Sequence, residues 1–210
     1  MQYNFIAIEG TIGAGKTSLA QMIAKQYNAK LILEQFEDNA FLPKFYEDQE
    51  KYAFPLEMSF MASRFQQLKD QLSTQDLFRS FTISDYYIIK SLIFARKTLP
   101  NDELALFTRF FNFINVTLPR PDLLVYLYLD IERLQDNIRK RGRTYEQQIK
   151  DEYLSKIQEG YFDFMKQQLD MRILILDTNQ IDFVHHPGDY SKVMSVIEQE
   201  YPIGIHRITF

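Results

Sequence analysis

At 210 residues the chain has room for one α/β domain and not for two independent enzymes. Hydrophobic residues at 46% and charged residues at 25% exclude bulk disorder, and a net charge of -4 argues against a nucleic-acid partner, so any anionic ligand must be held by a local cluster. The absence of Cys excludes disulfides, thiolate metal sites and a cysteine nucleophile, and neither a signal-peptide pattern nor a run of roughly 18 apolar residues is present, so a soluble cytoplasmic protein without a membrane partner is expected.

In chain order, Phe5-Ile6-Ala7-Ile8 reads as the first strand, followed by a helix marked on one face by Leu19, Met22, Ile23 and Tyr27. Leu31-Ile32-Leu33 is the second strand. A helical pattern over Ala53 to Leu72 carries Glu57 and Arg64 on a shared face, because they lie seven positions apart. Phe81-Thr82-Ile83 is the third strand. From Glu103 to Val116 the apolar residues surround much of a helix, which predicts burial inside the fold or against another subunit. Leu123 to Leu129 and Arg172 to Leu176 complete the strands, with an amphipathic helix over Asp151 to Leu169 between them. Continuous apolar strands alternating with helices predict a parallel sheet covered on both faces.

The most specific motif is Gly10-Thr11-Ile12-Gly13-Ala14-Gly15-Lys16-Thr17, which satisfies G-x-x-x-x-G-K-[ST] between a strand and a helix. Glycines let the backbone wrap a phosphate, and the N–H groups at the helix start donate to its oxygens. The run through Ser18 is therefore the candidate ATP or GTP loop. Lys16 is expected to reach the β- and γ-phosphates and Thr17 to place its hydroxyl on Mg²⁺. Asn179-Gln180-Ile181-Asp182 has the N-x-x-D spacing of a guanine-reading loop, but no strand is followed by D-x-x-G, which weighs against a switch module. His185, His186 and His206 lack metal-ligand spacing, and His185-His186-Pro187-Gly188 reads as a turn.

Read with Glu34, Asp38-Asn39-Ala40-Phe41-Leu42, Phe45-Tyr46-Glu47-Asp48, Tyr52-Ala53-Phe54 and Arg141-Gly142-Arg143-Thr144-Tyr145-Glu146, the sequence resembles the deoxynucleoside kinase family from Phe5 to Phe183. It is most similar to the bacterial deoxyadenosine/deoxyguanosine kinase branch. The resemblance implies an α/β P-loop kinase fold with a five-stranded parallel sheet, helices on both faces and a small basic lid at about residues 137–150. It also implies one kinase domain over 1–210, Mg²⁺ with ATP as donor, transfer to the 5′-hydroxyl of a deoxynucleoside, and a homodimer. The helix around 103–116 is the candidate dimer surface.

Glu34, at the end of the second strand, matches the family's general base, which accepts a proton from a hydroxyl that is a poor nucleophile. Tyr46 and Glu146 match residues that meet the sugar 3′-hydroxyl. Arg133, Arg139, Lys140, Arg141 and Arg143 against Asp136 alone give a local net of +4, the cluster that the acidic chain requires. The resemblance makes Arg141 and Arg143 the lid residues that stabilise charge on the transferring phosphate. Asn137 stands where relatives often carry another arginine. Asp85 is expected to orient Mg²⁺ opposite Thr17, but Tyr86 replaces the arginine that commonly follows that acid. Asp130 reads as a helix N-cap.

Glu57 lies where many relatives have glutamine. Ionised, it only accepts hydrogen bonds, which favours a base bearing an amino group, with Arg64 as the donor to the ring nitrogen; the branch tilts this to purines. By resemblance, Asn179 to Phe183, including Asp182 and Phe183, surrounds the adenine of ATP. The alternative enzyme is a nucleoside monophosphate kinase, but the arginines between Thr17 and Arg133 are scattered rather than convergent.

Overall fold

The protein is described from a computed structural model over residues 1–35, 39–74 and 78–210; Asp38 of the quoted motif lies outside the described residues. The chain divides into two compact units, Met1–Leu33, Asp76–Tyr86 and Pro121–Phe210 forming the first, and Glu34–Gln75 and Tyr87–Arg120 the second.

The first unit is built on a sheet of β1 (Phe5–Gly10), β2 (Lys30–Ile32), β3 (Thr82–Ser84), β4 (Leu123–Tyr128), β5 (Arg172–Asp177) and β6 (Gly204–Thr209). The order is β2-β3-β1-β4-β5-β6 and every pairing is parallel. β1 is buried along its whole length, as its apolar run requires of a central strand covered on both faces. Chain order reverses direction across β1, and its carboxyl end is therefore the switch point at which open α/β sheets bind ligands.

The expected five-stranded sheet is corrected to six strands. β6 alternates half-buried and exposed residues, as an edge strand does, so it lacks the apolar run that marks the other five.

Four helices accompany this sheet: α1 (Lys16–Tyr27), α6 (Ile131–Arg141), α7 (Asp151–Lys166) and α8 (Pro187–Ile197), with a 3₁₀ turn at Thr144–Glu146. α1 buries Leu19, Ala20, Ile23 and Ala24, and it ends at Asn28, which takes a left-handed conformation and returns its N–H to the Ala24 carbonyl. α7 buries Leu154, Ile157, Tyr161, Phe164 and Met165 at helical spacing.

The second unit is helical: α2 (Leu42–Glu47), α3 (Gln49–Leu72), α4 (Ile89–Thr98) and α5 (Asn101–Asn115). Asp48 caps α3 by accepting the Lys51 N–H. α5 is less covered than its sequence suggests. Phe107 and Phe111, one turn apart, are buried, while Phe110 is 49% and Phe113 76% exposed. One face packs on α3 and α4, and the opposite aromatic face is open in the single chain. Among the described residues no helix is long and apolar enough to cross a membrane.

Candidate active site

Within the first unit, the loop from Gly10 to Lys16 joins β1 to α1 and closes around its own backbone. Gly13 and Gly15 have φ of 87° and 86°, a conformation that L side chains rarely adopt. A Cβ on Gly13 would lie 2.7 Å from the Leu134 carbonyl oxygen of α6, so the loop also needs glycine for space. Lys16 folds back over the loop, its Nζ donating to the Gly10 and Thr11 carbonyls at 2.9 Å each. Thr11 is buried with its hydroxyl 3.3 Å from that of Tyr126, and Ile12 is half-buried.

A cleft of about 880 Å³ opens over this loop. Gly13, Ala14, Gly15, Lys16, Thr17 and Ser18 form one side; Arg133, Lys140, Arg141 and Arg143 supply cations, and residues 178–186 close another side. Its volume suits a nucleotide-sized ligand. Asp182 and Phe183 both line it. Phe183 is buried against Gly15, where a Cβ would touch its ring at 3.0 Å. Asp182 shapes the loop: its carboxylate accepts the N–H groups of Val184 and His185 and is 2.9 Å from the His185 Nδ1. Although burial raises the Asp182 pKa, those donors outweigh it and lower the pKa overall. Asn179 joins Asp130 and Asp177, accepting the Asp130 N–H and donating to Asp177. Both polar residues of the N-x-x-D spacing thus hold their own loop together.

The Thr17 hydroxyl donates to Asp85 Oδ2 at 2.5 Å, which brings together the two expected metal-site residues. Asp85 follows β3, as its backbone N–H, bonded to the Ile32 carbonyl, requires. One hydroxyl and one carboxylate are a fitting protein share for Mg²⁺, which takes oxygen ligands and usually keeps waters and phosphates as the rest. Tyr86, which follows Asp85, is fully buried.

The residues expected to form the lid also come together. Glu146 is 6% exposed, is paired with Arg141, and lies 3.3 Å from Arg143. Asn137 donates its amide to the Gly13 carbonyl at 2.8 Å, tying α6 to the phosphate loop. The sequence marks it only as a missing charge. Asp130 occupies the N-cap position of α6 without a side-chain capping bond; its carboxylate accepts the Tyr128 hydroxyl instead.

In the second unit, Glu34, Arg64, Lys90 and Glu57 form a buried polar cluster. The Glu34 side chain is 10% exposed. Arg64 donates from Nε at 2.8 Å and from a terminal nitrogen at 2.6 Å to Oε1, while Lys90 Nζ meets Oε2 at 2.5 Å. Burial pushes the Glu34 carboxyl up, but Lys90 and Arg64 outweigh it and hold it well below the usual carboxylate range. Arg64, expected as a donor to the base, is engaged by Glu34 and by Ser91 Oγ at 2.8 Å. Glu57 is 2% exposed and accepts the Thr98 hydroxyl at 3.1 Å. Burial pushes its carboxyl up to about 7, against the lowering effects of Arg64, Thr98 and Lys90. On α2, Phe45 is the buried aromatic and Tyr46 is half-buried with its ring against it.

Lys90 and Thr98 escape the sequence reading. The one signal for Lys90 in the sequence is that it is the next cation along the chain after Arg79, five residues beyond Asp85.

The sequence matches the deoxynucleoside kinase family model over residues 6–201. A deoxyguanosine kinase of Bacillus subtilis (strain 168) is 35% identical over 202 residues, spanning 93% of this chain and 96% of that protein. A deoxyadenosine kinase of Dictyostelium discoideum is 31% identical over 201 residues, spanning 93% and 78%. Among solved structures, deoxyadenosine kinase from M. mycoides with products dCMP and a flexible dCDP bound superposes with a TM-score of 0.79 at 26% identity, covering 92% of this chain and 98% of that one.

Proposed function

This chain belongs to the deoxynucleoside kinase family, and from that premise we propose that it transfers the γ-phosphoryl group of ATP to the 5′-hydroxyl of a purine deoxynucleoside. The observation that carries the acceptor assignment is the buried Glu34 carboxylate, kept ionised by two cations on a chain that also carries a phosphate loop. The deoxyguanosine and deoxyadenosine kinase relatives support the purine preference.

In this reading the Gly13–Lys16 backbone amides and Lys16 bind the β- and γ-phosphates, Lys16 exchanging the Gly10 and Thr11 carbonyls for phosphate oxygens. Thr17 and Asp85 would hold Mg²⁺, which when bound neutralises charge on those phosphates. Glu34 accepts the 5′-hydroxyl proton as the new O–P bond forms. Arg141 and Arg143, both paired with Glu146, stabilise charge on the transferring group. Tyr46 and Glu146 bind the sugar 3′-hydroxyl, Glu57 and Arg64 belong to the base side, and Asp182 and Phe183 to the adenine of ATP. A homodimer through the helix around 103–116 and a cytoplasmic location complete the proposal.

Phosphorylation assayed with Mg-ATP across deoxynucleosides and nucleoside monophosphates tests it. Deoxyguanosine or deoxyadenosine is expected to give the highest kcat/KM. A faster pyrimidine deoxynucleoside would overturn the purine assignment, and a faster monophosphate would overturn the acceptor class.

A further inference from the structure

The Glu34 carboxylate is gripped at both oxygens, and the two grips differ. Arg64 serves Oε1 with two N–H donors and is itself anchored on Ser91. Lys90 serves Oε2 from the second position of α4. Lys90 is 8% exposed, with its ammonium 5.6 Å from the Phe94 ring centroid. Removing an ammonium from water is costly unless its partners return that energy, and this one contacts none of the groups assigned above to phosphate, sugar or base except through Glu34.

We propose that Lys90 is a positioning residue for phosphoryl transfer, fixing the Oε2 side of the Glu34 carboxylate through a short ammonium–carboxylate pair. The proposal rests on Glu34 as the proton acceptor. In the reaction the 5′-oxygen bonds to the γ-phosphorus, the bond from that phosphorus to the leaving oxygen of ADP breaks, and the hydroxyl proton passes to Glu34. Lys90 keeps its proton throughout and alters no covalent bond.

What separates this role from packing is the charge state of Glu34. Among the described residues, Arg64 and Glu57 from α3 and Lys90 from α4 act on it; burial and the like charge of Glu57 favour the neutral acid, and the two cations favour the carboxylate. Without Lys90, one of the two described cations that oppose burial is gone, and the carboxyl titrates at higher pH. A proton acceptor works ionised, so activity is then lost as pH falls through that raised value, and the acid limb of the rate profile moves up.

The test is kcat/KM against pH, with Mg-ATP and the best deoxynucleoside, for the wild type, Lys90→Met, Lys90→Arg and Glu34→Gln. Lys90→Met is expected to move the acid limb up by about one pH unit or more, with the loss below that limb mostly in kcat and KM for the nucleoside within about threefold. Lys90→Arg is expected to return the limb toward the wild type. An unmoved limb in folded Lys90→Met overturns the proposal. Should Glu34→Gln retain about half of wild-type turnover or more, the proton-acceptor premise fails instead. If Lys90→Met does not fold, a ¹³C titration of the Glu34 carboxyl in the wild type and in Lys90→Arg decides: both are expected to stay ionised well below pH 4, and a midpoint near the ordinary carboxyl value of 4.5 overturns the proposal.

Discussion

Two buried glutamates, Glu34 and Glu57, answer to the same burial in opposite ways. Glu34 has cations on both oxygens and stays ionised, whereas Glu57 has a hydroxyl partner and more distant cations and is held near neutrality at about 7. A neutral carboxyl can donate as well as accept, as an amide does, while the ionised form only accepts. The order of kcat/KM among the four deoxynucleosides is therefore expected to shift between pH 6 and pH 8 in the wild type, by about tenfold for the most affected base, and to stay fixed in Glu57→Gln. Parallel assays at the two pH values check this, and a wild-type order indifferent to pH would remove Glu57 from base recognition. Stability carries the same signature. A carboxyl whose folded pKa is raised from 4.5 to about 7 contributes stability that is fully present below 4.5 and lost as pH rises through 7. Relative to Glu57→Gln, the wild-type Tm should fall by several degrees between pH 4.5 and pH 8.

At the level of elements, the phosphate loop and α6 act as one piece, because Gly13 is in near contact with the Leu134 carbonyl and its own carbonyl accepts from Asn137. Gly13→Ala meets both a left-handed φ and a 2.7 Å backbone approach, whereas Gly142→Ala meets only a φ of 72° with open space around it. Gly142→Ala is expected to cost about 1–2 kcal/mol, the ordinary left-handed penalty, with KM for ATP nearly unchanged. Gly13→Ala should cost more and raise KM for ATP at least about tenfold, because the loop must move to admit the methyl group. Thermal melts and ATP saturation curves on the two variants compare them directly. The loop was legible in the sequence because a phosphate cradle is a local object, set by glycine spacing within eight residues. Asn137 was not, since its partner carbonyl lies 124 positions away. β6 escaped for another reason: an edge strand with one neighbour needs only alternate residues half-buried, and Gly204-Ile205-His206-Arg207-Ile208-Thr209 has no continuous apolar run.

On the scale of the molecule, a net charge of -4 coexists with a +4 stretch over Arg133–Arg143, and that stretch supplies cations to the nucleotide-sized cleft. The open aromatic face of α5, with Phe110 and Phe113 exposed, is a patch of the kind that marks protein association. A dimer at micromolar concentration is expected in sedimentation, and Phe113→Glu should shift it toward a monomer that still folds, because Phe113 is 76% exposed in the single chain. A wild-type monomer under those conditions would contradict the dimer assignment.

By itself the sequence determined the α/β class, the glycine-rich G-x-x-x-x-G-K-[ST] loop, the basic stretch over Arg133–Arg143 and the family, since each is written in residue types at short spacing or in motifs along one segment. The position of Glu34 after a strand was legible too. Tertiary structure decided which cations serve it: Arg64 lies 30 and Lys90 56 positions away, and only the packing of α3 and α4 brings them to its two oxygens. The same holds for the contrast between Glu34 and Glu57. A carboxyl's charge state depends on how far its neighbours and water lie in space, and no spacing along the chain encodes those distances.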